Sequence, residues 1–376
     1  MNNLLSLPVQ IDDPINAAIL AVSEDRIQGF QPDPFGEIAK LSEIPVETVI
    51  ARVRAMLEAG VIRRVRQTLM ATNLAQGALV AWQVPEEKLN AAFDYMFQQD
   101  PFSGHIVIRS TDNATPGSTY RLWTTLKVPQ GFSLAKHAEF LRQKTGGDSF
   151  LLMPAKRLFA LGVGHVRRRQ MVPGSKSEEL ATVIGTEIVS LDALDWQVLT
   201  ALKREFAPQE LTRDLWRGRA EEAGVSLETF LAVGASLHDR KVIGRFSTFL
   251  EHVKPVKEQR VTRYNALFHW AVPHGREIEA GREVGRFDIM THAYWREGGP
   301  EFRDVNIMGV AHGMEKEMVL AHKAAIDAHL AEIGMPVSYT NVFWGGRSEI
   351  KPSEIAPQAY LEFCRANGLD PGAMRE

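Results

Sequence analysis

Ala59-Gly60-Val61-Ile62-Arg63-Arg64-Val65 is the stretch on which the fold turns. Gly60 stands where a helix ends, since glycine takes the left-handed C′ conformation without strain. The β-branched run after it reads as a strand. Upstream lie three short helices. Residues 14–27 carry Ile15, Ala18, Ile19 and Val22 at helical spacing, residues 35–40 form a second, and residues 46–59 turn Val46, Val49, Ile50, Val53 and Leu57 inward. Three helices closed by a strand describe a winged helix-turn-helix.

The pattern returns downstream. Residues 194–203, 211–223 and 225–240 read as helices, and Val242-Ile243-Gly244-Arg245-Phe246 as the strand. Glu47-Thr48 recurs as Glu228-Thr229 and Val61-Ile62 as Val242-Ile243, while Trp82-Gln-Val-Pro85 is echoed by Trp270-Ala-Val-Pro273. A recurrence this long means a duplicated two-part unit, because solenoid repeats run roughly 20–50 residues. In each copy an α+β unit follows the strand. The first places strands at 77–84, 105–110, 120–127 and 159–163, with helices at 87–98 and 134–144. The second fills those places with 266–272, 286–291, 305–311, 316–333 and 338–344. The order βαββαβ is ferredoxin-like. The expected fold class is therefore α+β, a tandem duplication of a winged helix-turn-helix followed by a ferredoxin-like domain. The expected parts are 1–70 and 71–166, a polar linker at 167–190 holding Pro173-Gly174-Ser175, then 191–250, 251–356 and a C-terminal helix and tail at 357–376.

Composition narrows the function. The chain has 376 residues, 45% of them hydrophobic, and a net charge of −3. That charge argues against a dedicated nucleic-acid binder, which shows a basic surplus. The helix at 46–59 offers Arg52 and Arg54 among acidic neighbours, and its counterpart offers Arg240 only at its end, so DNA is not the expected partner. Arg63, Arg64 and Arg66, and Arg167 to Arg169, are basic clusters read as a solvated wing and a linker boundary. A lone cysteine, Cys364, excludes a disulfide framework and fits a reducing cytoplasm. The N-terminus lacks the basic region of a signal peptide, and no apolar run approaches the ~20 residues of a membrane span. Phosphate loops, a Ser-His-Asp arrangement and a dinucleotide fingerprint are absent.

The chemistry concentrates in Met290-Thr-His-Ala-Tyr-Trp-Arg-Glu-Gly-Gly-Pro-Glu-Phe-Arg-Asp-Val-Asn-Ile-Met-Gly-Val-Ala-His-Gly313. His292, Tyr294 and Arg296 at i, i+2, i+4 share one face of a strand. Gly298-Gly299-Pro300 breaks it, and a second strand ends at His312. Arginine anchors carboxylates bidentately and histidine moves protons near neutral pH. Elsewhere, His322 and His329 are expected on an exposed helix face, His105 is expected to be structural, and His269 faces either side of its strand.

The architecture resembles the leucine-responsive and asparagine-regulator family, and within that superfamily the siroheme decarboxylases, which pair or fuse two homologous subunits. Thr291-His-Ala-Tyr-Trp-Arg296, Asn306 and Ala311-His-Gly313 look like that family's His-x-Tyr-x-Arg, Tyr-Asn-Leu and His-Gly run. Tyr120-Arg-Leu-Trp-Thr-Thr-Leu126 and Met153-Pro-Ala-Lys-Arg-Leu-Phe-Ala-Leu-Gly-Val163 resemble the partner subunit. Departures are Ile108-Arg-Ser-Thr-Asp-Asn113 in place of a first-half His-x-Tyr-x-Arg, Arg121 for asparagine, Ala160 for lysine, and Val305 for the aromatic before Asn306.

The resemblance implies loss of carbon dioxide from two acetate side chains of siroheme. It assigns His292, His312 and Tyr294 to proton transfer, with His292 or His312 as an iron ligand. Arg296, Arg303, Arg109, Arg121 and Asn306 would hold the substrate, with Trp295, Phe302, Met308 and Trp344 as walls. No cofactor beyond the iron of the tetrapyrrole is expected. The expected partner is that substrate, with no membrane, and with pairing of the two halves within one chain or as a homodimer. Two alternatives stand beside it: a tetrapyrrole-binding protein without the chemical step, and a regulator that senses an effector.

Overall fold

The computed structural model describes residues 7–161, 171–251 and 262–376. In chain order the elements are α1 (Pro14–Ser23), α2 (Pro34–Ser42), α3 (Val46–Glu58), β1 (Ile62–Leu69), β2 (Ala75–Gln83), α4 (Leu89–Gln98), β3 (Ser103–Ser110), β4 (Tyr120–Pro129), α5 (Leu134–Thr145), β5 (Ser149–Pro154) and β6 (Arg157–Leu161). There follow α6 (Ala193–Leu202), α7 (Leu215–Glu222), α8 (Leu227–Asp239), β7 (Ile243–Leu250), β8 (Tyr264–Ala271), α9 (Glu277–Gly285), β9 (Met290–Trp295), β10 (Ile307–Gly313), α10 (Lys316–Glu332), β11 (Tyr339–Ile350) and α11 (Pro357–Ala366). This is a mixed α/β fold with two antiparallel sheets. It divides into two units. Among the described residues, one holds 7–70 and 189–251, and the other holds 71–161, 171–188 and 262–376. The Arg167 to Arg169 cluster lies outside the described residues.

In the first unit, α1–α3 and α6–α8 each precede a strand, and β1 pairs antiparallel with β7 across Val65↔Thr248. Side-chain caps set the helix starts. Asp13 accepts from the Ile15 and Asn16 amides, Asp33 from Gly36 and Ser226 from Thr229, satisfying donors that a helix leaves orphaned. Before α6, Asp192 and Asp195 form a reciprocal capping box. The helix expected over 211–223 shrinks to α7, with residues 211–214 forming a turn after the 3-10 turn at Pro208–Glu210.

Asp195 also binds Arg240, whose Nη1 lies 2.8 Å from Oδ2. The Arg240 hydrogen bonds hold the Asp195 carboxyl below the usual carboxylate range, against a smaller upward push from burial. A depressed folded value means stability present above the unfolded pKa of ~3.9 and lost as pH falls through the folded one. Asp195→Ala should cost about 1 kcal/mol near neutral pH by urea denaturation, a figure kept low because a third of Arg240 meets water. The difference from wild type should shrink on acidification.

The basic residues of this unit are largely engaged. Arg52 is buried against Asp13 at 3.2 Å, and Arg54 donates to the Pro208 and Leu211 carbonyls. Arg64 pairs with Glu205 at 2.9 Å. Arg66 lies over the Phe249 ring, and burial, chiefly, lowers its pKa to about 10.

The second unit carries one nine-stranded sheet in the order β5-β2-β4-β3-β11-β8-β10-β9-β6. Each half contributes four strands in the order fourth, first, third, second: β5-β2-β4-β3, then β11-β8-β10-β9. The long β11 pairs with β8 through Phe343↔Leu267 and then with β3 through Ser348↔Val107. In the same way β5 pairs with β2 of its own half, while β6 pairs with β9 of the other. Only residues 155 and 156 separate β5 from β6, yet those strands stand at opposite ends of the order. The short connection therefore brings the two ends of the nine-stranded order close together.

Alternation along the strands makes two kinds of core. Phe268 and Trp270 of β8 pack with Val319 and Ile326 of α10, and Trp82 and Leu122 pack with Phe93 of α4. Residues of opposite parity, Trp123, Leu267, Met308 and Phe343, meet on the inner face away from the helices.

Several expectations change here. The single strand expected at 159–163 is two strands, β5 and β6, and β9 begins at Met290 rather than at 286. Part of the expected linker is not a tether, since Lys176 bridges to Phe287 and Ile184 to Leu158. The tail beyond 356 is core, with Tyr360, Phe363 and buried Cys364 packing into the first half. Tyr360 also meets His137 Nδ1 at 3.0 Å, and His137 Nε2 lies 3.2 Å from Asp100. Burial pushes the Asp100 carboxyl up, but His137 and the hydrogen bonds from Ser103 and Phe102 pull it net downward.

Candidate functional site

β9 supplies the first candidate side chains. Ala293 and Trp295 pack toward the helices, which turns His292 and Tyr294 to the inner face. Their rings stack nearly parallel, 12° apart with centroids separated by 6.0 Å. Arg296 is buried, with its guanidinium 4.6 Å over the Tyr294 ring and Nη1 donating to the Met153 carbonyl. Burial lowers its pKa to about 10, and among the described residues no carboxylate pairs with it. A buried guanidinium that stays charged without an anion is costly.

β10 lies beside β9 with Met308 opposite Tyr294 and Val310 opposite His292. Thr291 links the two histidines. Its hydroxyl donates to the Val310 carbonyl at 2.9 Å, so it accepts from His292 Nδ1 at 3.2 Å and from His312 Nδ1 at 3.4 Å. That arrangement places the exchangeable lone pair of each neutral imidazole on Nε2. His292, Tyr294 and His312 are half-buried, which leaves them reachable. Together they offer two imidazoles, a phenol and a cation on one sheet face, suited to holding an anion and moving a proton.

Other expected residues stand elsewhere. Trp295 points to the helix side, under Lys156 at 5.0 Å, and Trp344 belongs to that same side, donating to Asp112. Arg303 is exposed on a left-handed backbone, 5.5 Å from the Tyr339 ring. Arg121 is engaged by Glu86 at 3.1 Å and by the Arg109 carbonyl. Phe302 and Met308 do lie on the inner face, but fully buried as core. His322 and His329, expected exposed, are buried, and His329 Nε2 meets Glu283 at 2.7 Å. Among the described residues no group of three or more His, Cys, Asp or Glu is placed to hold a metal, and no helix is long and apolar enough to cross a membrane.

Asn306 is a structural clasp. Its side chain bonds both backbone groups of Val272, at 2.9 and 2.8 Å, in a buried position. Asn306→Leu should cost roughly 2 kcal/mol in chemical denaturation, because it strands a buried amide and a buried carbonyl.

The first half holds a counterpart that sequence reading missed. Val107 of β3 pairs with Trp123 as Tyr294 pairs with Met308, and Ile108 pairs with Leu122 as Trp295 pairs with Ile307. This register sets 105 against 292, 107 against 294 and 109 against 296, each 187 apart. The first half thus carries His105-Ile-Val107-Ile-Arg109 where Ile108 to Asn113 was expected to be the match. Arg109 repeats Arg296. It reaches the Phe343 carbonyl of the opposite half at 3.4 Å, as Arg296 reaches that of Met153. The i, i+4 spacing of His105 and Arg109 was the available signal, hidden by valine in the place of tyrosine.

Residues 74–160 match the AsnC-like ligand binding domain family. The fold is similar to the crystal structure of the siroheme decarboxylase NirDL, with a TM-score of 0.65 at 18% identity, covering 95% of this chain and 100% of that one. It is also similar to the crystal structure of NirDL in co-complex with an iron-uroporphyrin III analogue, with a TM-score of 0.64 at 18% identity, covering 94% and 99%. No curated protein matches the sequence.

Proposed function

We propose that this chain, folded along its length like NirDL, is a siroheme-decarboxylase-like carboxy-lyase that converts two acetate side chains of siroheme to methyls. The observation that carries the reading is the gathering of His292, Tyr294, Arg296 and His312 on one sheet face. A fold whose solved relative was crystallised with an iron-uroporphyrin analogue supports it.

Each step breaks the bond between the acetate methylene and its carboxylate. The carboxylate leaves as neutral carbon dioxide, the electron pair stays on the methylene carbon, and a proton from an acid completes the methyl. Each loss takes up one proton, so the acid must reload from solvent. An imidazole is the side chain suited to both roles, giving a proton to carbon and taking one back from solvent. His292 Nε2 is assigned as donor, with His312 held by the same Thr291 hydroxyl. Tyr294 backs the His292 ring, and Arg296 receives a carboxylate that remains. The iron belongs to the substrate, whose ring supplies the electronics.

The two modules of three helices and a strand we read as tandem winged helix-turn-helices, and the rest as tandem ferredoxin-like domains. With Arg52, Arg54 and Arg64 engaged inside their unit, the winged helices serve as scaffold rather than as readers of duplex DNA. Titration of the purified chain with siroheme tests the reading. Spectral change on binding followed by product formation supports it. Binding without product favours a tetrapyrrole-binding protein, and steeply salt-dependent duplex binding alone favours a regulator.

A further inference from the structure

The inner face holds two buried polar groups that the mechanism above does not use. His269 of β8 is fully buried, and neither ring nitrogen has a hydrogen-bond partner among the described residues. It sits among rings, with centroids 5.0 Å from Phe343, 5.9 Å from Phe302 and 6.1 Å from Trp123. Burial, then the charges of Arg109 and Lys323, lowers its pKa to about 3, so the imidazole is neutral. Arg109 is buried from the other side of the same face. Among the described residues its guanidinium makes two long contacts, to Asn265 Oδ1 at 3.3 Å and to the Phe343 carbonyl at 3.4 Å. Its Nε has no partner, and no carboxylate pairs with it among the described residues. Burial lowers its pKa to about 9, yet it remains the cation at neutral pH.

An unbalanced buried cation and an imidazole with an unmet N–H donor, both packed on Phe343, cost stability that apolar residues would not. One kind of group answers both. A carboxylate accepts from the Nε and Nη of a guanidinium and from an imidazole N–H, and it cancels the charge. The covering side chain is unusual too. Phe302 is fully buried against Tyr120, Trp123 and His269, on a turn where Gly299, Arg303 and Asp304 all adopt positive φ. Two successive left-handed residues other than glycine store strain. Gly117 makes room for the ring, since a Cβ there would clash with Phe302.

We propose that Arg109 and His269 form a receptor for a single carboxylate carried on a flat apolar body, with Phe302 standing where that body docks. The receptor does not depend on the decarboxylase reading. The carboxylate comes either from a small free aryl acid or from a side chain of a tetrapyrrole.

Thermal melting of the full chain with benzoate, and separately with metal-free uroporphyrin, tests it, with benzamide as the neutral control. Benzoate should raise the melting temperature by several degrees in a concentration-dependent way, and benzamide should not. A shift with uroporphyrin alone, lost in Arg109→Met, supports the receptor and assigns the carboxylate to a ring. Arg109→Met and His269→Leu should melt above the wild type, because an unpaired polar group is gone, and should lose the benzoate response. Phe302→Ala should respond at lower benzoate concentration. Arg109→Lys keeps the charge without the fork and should need more benzoate. Equal shifts with benzoate and benzamide, no shift with either acid, or an Arg109→Met variant that melts lower and still responds would each overturn the proposal. So would histidine ring-nitrogen NMR in which the His269 signals stay fixed as benzoate saturates. Siroheme turnover with no benzoate or uroporphyrin response separates this failure from failure of the proposed reaction.

Discussion

His292→Ala is expected to lower siroheme turnover by roughly 10²–10⁴-fold while siroheme affinity changes by no more than a few-fold, the range a positioned general acid supplies. The imidazole stacks on Tyr294, is held at Nδ1 by Thr291 and is half-buried, so its removal takes away a donor rather than a wall. Single-turnover kinetics and a binding titration separate the two effects. His312→Ala tests the division of labour. If His292 is the acid and His312 shares only its anchoring hydroxyl, the second variant loses less turnover. Equal losses in both would make the pair a unit, since residues acting together are non-additive.

Arg296→Met is expected to weaken siroheme binding about 10–100-fold, from the ~1.5–3 kcal/mol of a charge-assisted hydrogen bond, and to raise thermal stability. The two directions share one cause. Arg296 is a buried cation with no carboxylate beside it among the described residues, held by a ring and a carbonyl. Without ligand that charge is a burden, and with a carboxylate it becomes an anchor. Arg296→Lys should not restore affinity, because an ammonium lacks the planar fork. A binding titration beside a melting curve checks both signs. A variant that binds normally, or that melts lower, would make Arg296 a structural residue.

Periodicity made the repeated order of helices and strands legible. Apolar spacing in α1 and α3, glycine at position 60 and the recurrence at Val242-Ile243 are local features that survive folding. The shared face of His292 and Tyr294 was legible because they alternate with Ala293 and Trp295, so parity alone assigns it. Trp295 shows the limit of composition, since an aromatic beside the motif belongs to the opposite side. Long-range pairing was not legible. Nothing local in Ser149–Pro154 tells that it pairs with β2 while the next strand leaves for β9, or that Tyr360 joins a core begun at Ala78. The place of His105 and Arg109 in the first half was missed for the same reason. Their equivalence to His292 and Arg296 rests on strand register, which partners across the sheet decide. Buried polar groups such as His269 and Asn306 are likewise identified by their surroundings.

The central claim is that this face removes carboxylates from siroheme. Anaerobic incubation of the purified chain with siroheme, followed by mass spectrometry of the extracted tetrapyrrole, tests it most directly. The account predicts the stepwise loss of one and then two carbon dioxide units, abolished or strongly slowed by His292→Ala. Siroheme recovered unchanged after prolonged incubation with folded protein would contradict it.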